Sequence, residues 1–456
     1  MLGIIIGLAL LMYLAYRGMS IIWIAPICAA IVALTGGLNL VEAYREAYMG
    51  GFVGFAKSWF PVFMLGAIFG KVMDDSGAAK SVAHWVTSKI GTKRAILAVV
   101  VGCAVLTYGG VSLFVVVFAM YPLAVALFRE ANISRKLIPG AIALGAFTFT
   151  MTAIPGTPQI QNLIPIDYFG TTPTAAPIMG TVGALIMFGV GMLWMTYREK
   201  KLTAAGEVFN EPTGSVAKKG KASSSNGKGG AVAGGEVAAK EKEEVKEIDE
   251  ATLPNPMLSS LPLITVILLL NLFELDIIIA LTAGIVLALL LNVSRLKNVV
   301  QSINAGASGS VLAIINTSAA VGFGAVVRAV PGFQTLSNLV MGIEGNPLIS
   351  EAVAVNVLAG ATGSASGGMG IALAALGDRF VELSAASGVP LEAFHRIASM
   401  SSGGLDTLPH NGAVLTLLAV TAMTHKDSYK DIFMVGTAIP ILAVIAGIIL
   451  ATIGLV

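Results

Sequence analysis

Asp406 and His410 flank Pro409 in the segment GLDTLPHNG, inside an otherwise apolar stretch. A carboxylate or an imidazole at membrane depth is costly, and such groups mark ion and proton paths. Histidine changes charge near neutral pH, so His410 could carry a proton or donate to a substrate carboxylate. The structural alternative is that Asp406 caps the following helix and His410 bonds locally. Four interruptions rich in Gly, Pro, Ser, Thr and Asn break the apolar runs, at Tyr108–Ser112, Thr152–Pro158, Thr362–Ser366 and Asp406–Gly412. A helix interrupted inside a membrane presents N–H groups at one half-helix and C=O groups at the other, suited to an anion and a cation respectively. Glycine admits a ligand to the backbone, proline removes a helical donor, and hydroxyls and amides add neutral hydrogen bonds. The candidate substrate-binding residues are therefore Gly109, Gly110, Ser112, Thr152, Gly156, Thr157, Gly363, Ser364, Ser366, Thr407, His410 and Asn411, with Asp406 and His410 as coupling-ion residues. The competing reading of such positions is close helix packing.

Other polar residues are weaker candidates. His395 and Arg396 are expected near the outer end of a span, as interfacial anchors or a substrate vestibule, and no lysine or arginine is clearly buried. His84 and His425 read as surface residues. Asn316-Thr317-Ser318, in the middle of a span, reads as interhelical hydrogen bonding ahead of a path lining. Cys28 and Cys103 lie in apolar runs and behave as small core residues. The sequence contains no phosphate-binding loop, metal-ligand cluster or nucleophile triad, so no cofactor or metal is expected and the chain does not read as an enzyme.

These residues must be positioned by membrane helices. Of 456 residues, 56% are apolar and 12% charged, against about 25% charged in soluble domains. Too few solvated side chains remain to cover a globule of this size, so lipid is the outer solvent. The net charge of +2 gives no sign of a nucleic-acid partner. Pro155 and Pro409 are 254 residues apart, and the same offset carries Phe69, Gly70 and Val72 onto Phe323, Gly324 and Val326, and Gly109 and Ser112 onto Gly363 and Ser366. The chain reads as a first transmembrane repeat over 1–202, a linker over 203–254 and a second repeat over 255–456. The linker, with KKGKASSSNGKGG followed by KEKEEVKEIDE, is too polar to bury a core and reads as disordered.

In the first half, apolar runs are expected near 2–16, 20–36 and 52–73, an amphipathic interfacial helix at 78–90, paired runs at 95–107 and 112–128, a broken segment at 137–165, and a last span at 177–197. The second half repeats this at 257–273, 275–293, 305–328, an interfacial 331–342, paired runs around 350–385, a broken segment at 391–424 and a last span at 432–453. The paired runs read either as two full spans or as a re-entrant hairpin, whose buried tip is tolerable where protein or a watery cavity surrounds it. With hairpins each half crosses five times, and the second half is inverted. Under that count Arg17, Lys71, Lys93, Arg94, Arg129, Arg135, Lys136, Arg198, Lys200 and Lys201, among others, fall on the linker side, against Arg45, Arg328, Arg379 and Arg396 opposite. The positive-inside rule then makes the linker cytoplasmic and both termini extracytoplasmic, in a multi-pass plasma-membrane protein.

The segments AIPGTPQIQNLIP at 153–165 and GLDTLPHNGAVLTLLAV at 404–420, with YKDIF at 429–433, resemble the gluconate permease (GntP-type) family of organic-acid symporters. The DTLPHNG segment looks most like members annotated for D-β-hydroxybutyrate. The resemblance extends over nearly the whole chain apart from the linker. It implies the all-α fold of the ion transporter superfamily: two inverted repeats, each with a re-entrant hairpin and a broken helix, moving as an elevator. It also implies proton coupling and a homodimer. The superfamily's Ser-Asn-Thr hairpin tips, which serve sodium, are replaced here by TYGGVS and ATGSASGG. The function expected is import of a small hydroxy-monocarboxylate, of the 3-hydroxybutyrate or gluconate class, with protons. Sodium coupling is an alternative, and a passive anion channel is an alternative of another class.

Overall fold

The structure is a computed structural model that describes residues 2–17, 19–210, 252–296, 298–333, 335, 346–409 and 411–456. The described residues form helices joined by short turns, with no strand among them. Where lipid replaces water, backbone groups must bond internally, and a helix does so within one segment. The starts of these helices are set by local chemistry. The side chains of Asn39, Asn255, Asp276, Asn298, Asn346 and Asn411 each accept a backbone N–H of the turn they open. Pro177, Pro256 and Pro347 occupy first positions, where the missing donor costs nothing.

Helices α1 (Leu2–Tyr16), α2 (Ile21–Thr35) and α3 (Leu40–Asp75) come first. Helix α4 (Ala78–Ile90) follows, and the chain then bends by 93° into the segment that contains α5 (Ala95–Tyr108). Helix α6 (Leu113–Glu130) turns back from α5. A helix broken into α7 (Ile138–Ala146), the short α8 (Phe149–Thr152) and α9 (Ile160–Phe169) precedes α10 (Pro177–Ala204). After the linker come α11 (Pro256–Asn271), α12 (Ile277–Asn292) and α13 (Val299–Ala329). Helices α14 (Pro347–Thr362) and α15 (Ala365–Ser387) form a second pair. A second broken helix, α16 (Leu391–Ser402) and α17 (Gly412–Val420), leads to α18 (His425–Thr452). Adding 254 to the bounds of α5, α6, α7 and α9 gives 349–362, 367–384, 392–400 and 414–423, within a few residues of α14, α15, α16 and α17 at most of their ends.

Helices α3 and α13 pack along their lengths, with α2 against α13 and α12 against α3. They approach closely because Gly306 and Gly322 carry no side chain: a Cβ there would lie 2.6 Å from the Ile68 Cα and 2.7 Å from the Tyr48 carbonyl oxygen. Ser302 donates to the Asp75 carboxylate at 2.6 Å and Lys71 bonds the same group at 2.6 Å, tying one end of the pair. The hairpins and broken helices pack beside this unit. Helix α5 has 14 residues and α14 has 16, so each spans about 21–24 Å, short of a ~30 Å hydrocarbon core. Among the described residues five helices are long and apolar enough to cross a membrane alone: α3, the second arm α6 of the first hairpin, α10, α13 and α18.

The 78–90 helix buries Val82, Ala83 and Val86 on one face. Helix α10 continues to Ala204, past the expected end of its span, and residues 211–251 of the expected linker lie outside the described residues. So does most of the interfacial segment expected at 331–342.

Candidate functional site

Each hairpin tip sits against the break of its own half. At the first tip, Gly110 (φ 91°) turns the chain between α5 and α6, a conformation that side-chain-bearing residues rarely adopt. The Tyr108 hydroxyl donates to the Pro155 carbonyl at 3.1 Å, and the Gln159 amide donates to the Thr107 carbonyl at 2.6 Å and to that of Val111 at 3.4 Å. At the second tip, Gly363 (φ 60°) ends α14 and the Ser364 hydroxyl caps α15 through the Gly367 N–H. Here the Asn411 amide donates to the Gly363 carbonyl at 2.8 Å. In both halves, a side-chain amide just beyond the break thus holds the hairpin tip by its main-chain carbonyls.

The two breaks meet each other. The Ser399 hydroxyl donates to the Thr152 carbonyl at 2.7 Å, and a Cβ on Gly403 would lie 2.9 Å from the Thr152 Cγ2. The first break is stitched internally: the Thr157 hydroxyl donates to the Thr150 carbonyl, the Thr152 hydroxyl to the Thr148 carbonyl, and the Gly156 N–H to the Pro173 carbonyl. In the second, the Thr407 and Thr437 hydroxyls pair at 2.8 Å, the Tyr429 hydroxyl donates to the Thr407 carbonyl, and His425 bonds the Pro409 carbonyl at 2.9 Å. Asp406 is 6% exposed and its Oδ1 has no hydrogen-bond partner. His410 lies outside the described residues.

The structure corrects the reading of His395 and Arg396. Neither is an outer anchor; both are fully buried, so the chain does contain a buried arginine. Arg396 donates to the carbonyls of Ala153, Pro173 and Ala175 and to the Asn162 side-chain oxygen, the shortest bond being 2.6 Å to Ala175. His395 pairs with the Thr171 hydroxyl at 2.6 Å and the Asn162 oxygen at 3.2 Å. The second half's broken helix therefore supplies a cation that braces the first half's break through neutral oxygens. The N-terminus of α9 beside it has no side-chain cap, whereas that of α17 is capped by Asn411.

The predicted residues divide by use. Gly109 and Gly156 face α11: a Cβ at either would meet Leu263 (2.8 Å) or the Asn271 amide (2.5 Å), which itself donates to the Gly156 carbonyl. Their lack of a side chain serves packing. The Thr152, Thr157 and Thr407 hydroxyls bond within the protein, while Ser112, Ser364 and Ser366 are partly exposed at the tips. Thr317 bonds its own helix, and the Ser318 hydroxyl has no partner. Beside Ala320, which faces Gly367, the register of α13 brings half-buried Asn316 to the level of the second tip. Sequence reasoning missed Gln159, Asn162, Asn356 and Glu351; the recurrence of an amide after each break could have found the first. An apolar groove of about 370 Å³ beside the first break, lined by Val101, Phe149, Pro155, Leu185 and Phe188, suits a lipid chain better than a carboxylate. Among the described residues no three His, Cys, Asp or Glu side chains converge on a metal site.

The family model described as GntP family permease matches residues 1–225. The chain is 44% identical to the uncharacterized transporter YxjC of Bacillus subtilis (strain 168), over 95% of this chain and 94% of that protein. It is 29% identical to a gluconate permease of the same organism over 35% of this chain and 32% of the other. An uncharacterized transporter of Haemophilus influenzae is 28% identical over 35% of this chain and 36% of its own.

Proposed function

This chain belongs to the GntP permease family, a multi-pass membrane transporter and not an enzyme, and from that premise we propose that it imports a small hydroxy-monocarboxylate together with protons. The observation that carries the reading is the meeting of two broken helices at Thr152 and Gly403, each holding a hairpin tip by a side-chain amide. Helix ends inside a membrane are stable only where protein or a ligand satisfies them, and such ends form the midplane sites of secondary transporters.

The two breaks take different roles in this proposal. The first offers the uncapped N-terminus of α9 next to the buried Arg396, an electropositive setting for a carboxylate. The second holds Asp406, whose free oxygen is the candidate for the coupling proton, with His410 beside it in sequence. The hydroxyls of Ser112, Ser364 and Ser366 at the tips would then meet the substrate's own hydroxyls. Gluconate is favoured by the named relative, and 3-hydroxybutyrate by the DTLPHNG segment.

The recurrence of element bounds at one offset supports two repeats, and the short first arms α5 and α14, though not the longer α6 and α15, support their inversion. In the proposed cycle the hairpins and broken helices slide as an elevator against α1–α3 and α11–α13, within a homodimer whose linker is cytoplasmic. The test is uptake of labelled gluconate and 3-hydroxybutyrate into proteoliposomes, with competition by a panel of carboxylates. Concentrative uptake of either supports the proposal; entry that stops at equilibrium indicates a channel, and entry of neither excludes the substrate class.

A further inference from the structure

Glu351 stands in the second turn of α14, fully buried, and neither of its carboxylate oxygens has a hydrogen-bond partner. An unpaired carboxylate in such a place is strongly unfavourable for the fold, and burial of this kind at membrane depth goes with function. The elements packed against α14 carry Tyr13 on α1, Asp378, Arg379 and Glu382 on α15, Glu392, His395 and Arg396 on α16, and Asp406 in the break. The stretch Ile439–Thr452 of α18 adds none. Asp378 pairs with Arg328, Arg379 with Glu382, and Arg396 is spent on main-chain and amide oxygens. None of these groups bonds the Glu351 carboxyl.

Further polar atoms without partners lie between Glu351 and the break. Asn356 is five residues along the same helix, about 7.5 Å in rise, and its Oδ1 has no donor. That oxygen points at the break, since a Cβ on Gly404 would lie 1.8 Å from it. Two residues beyond Gly404, Asp406 Oδ1 is also unpartnered, as is the Ser401 hydroxyl at the end of α16. In the first hairpin and first broken helix the Thr107 hydroxyl and the Gln161 side-chain oxygen are also without partners, but no buried carboxylate there is. Among the described residues, the carboxylates that are buried with an unpartnered oxygen are Glu351 on the second hairpin and Asp406 in the second break.

We propose that Glu351 is a second proton-binding carboxyl of the transport cycle, in series with Asp406. A proton enters from water at the base of the hairpin, forming an O–H bond on Glu351. That bond breaks as one forms on Asp406, with Asn356 and Ser401 lining the interval. The inference rests on the proton-symport reading, and it assigns the residue by which the proton reaches the break.

The test compares wild type, Glu351→Gln and Asp406→Asn in proteoliposomes, measuring accumulation of labelled gluconate driven by a proton gradient and, separately, its exchange under counterflow. Glutamine fills the same volume, so Glu351→Gln is expected to exchange substrate within threefold of wild type while gradient-driven accumulation falls at least tenfold. Accumulation at the wild-type level overturns the assignment, as does equal loss of exchange and accumulation in a monodisperse protein. If Glu351→Gln does not yield monodisperse protein, Glu351→Asp takes its place: it keeps the carboxyl and is expected to move the external pH of half-maximal uptake, and an unmoved profile overturns the proposal. If wild type itself ignores the proton gradient, the symport reading fails and this inference with it, an outcome distinct from failure of Glu351 alone.

Discussion

Replacing Arg396 by Met removes the brace between the two halves, and the structure sets the size of the effect. Four oxygens lose a donor. The Pro173 carbonyl keeps the Gly156 N–H and the Asn162 amide, and the Asn162 oxygen keeps His395. The Ala153 and Ala175 carbonyls accept from Arg396 alone among the described residues. Each orphaned buried carbonyl costs about 1–3 kcal/mol, so the variant should lose about 2–6 kcal/mol. Methionine also removes a buried charge, and that gain places the net near the lower end. Two kcal/mol corresponds to a roughly 30-fold shift in population, and the affected state is the one with an intact first break. Uptake should therefore fall by more than threefold and by at most about 30-fold, with a lower thermal midpoint in detergent. Lysine keeps the charge with three donors on one atom and cannot fork between these oxygens, so Arg396→Lys should fall between Met and wild type. A Met variant with an unchanged midpoint and uptake within threefold of wild type refutes the reasoning.

Other expectations follow from single contacts. Asn411→Ala frees the Gly363 carbonyl and uncaps α17, which together cost about 2–4 kcal/mol; uptake should fall at least tenfold in protein that still purifies as one species. Gly404→Ala places a methyl in the position that Asn356 fills, whereas Gly412→Ala meets nothing within 4 Å; the first should lower the melting temperature and uptake, and the second should change neither. Asp431 is fully buried and bonds Arg198 through two nitrogens as well as Trp194. Breaking it by Asp431→Asn should cost about 3–5 kcal/mol, read as a lower midpoint without a change in substrate preference.

Much of the scaffold was legible because membrane helices write themselves as apolar runs and their breaks as Gly, Pro and Ser clusters. The four interruptions, the paired arms and the broken helices stand within a few residues of where the sequence placed them. Arg396 was not legible, because its partners are main-chain carbonyls more than 200 residues upstream, and a carbonyl leaves no mark on a sequence. Its helix misleads further: Glu392, His395, Arg396, Ser399 and Ser402 fall on one polar face that reads as facing outward, yet residues 393–402 are all buried. Glu351 was missed for a related reason, since a charge near the start of a hairpin arm reads as interfacial until the burial around it is seen. Gly109 and Gly156 were expected to admit a ligand to the backbone; in the structure a Cβ at either would meet α11, a contact with a helix far along the chain that their residue type alone does not specify.

The most direct measurement is accumulation of labelled gluconate and 3-hydroxybutyrate in proteoliposomes under an imposed inward proton gradient, with and without a protonophore. The account predicts that the internal concentration of one of them rises above the external one and falls back to it when the protonophore is added. Accumulation that ignores the protonophore and follows a sodium gradient, or entry that never exceeds equilibrium, contradicts it.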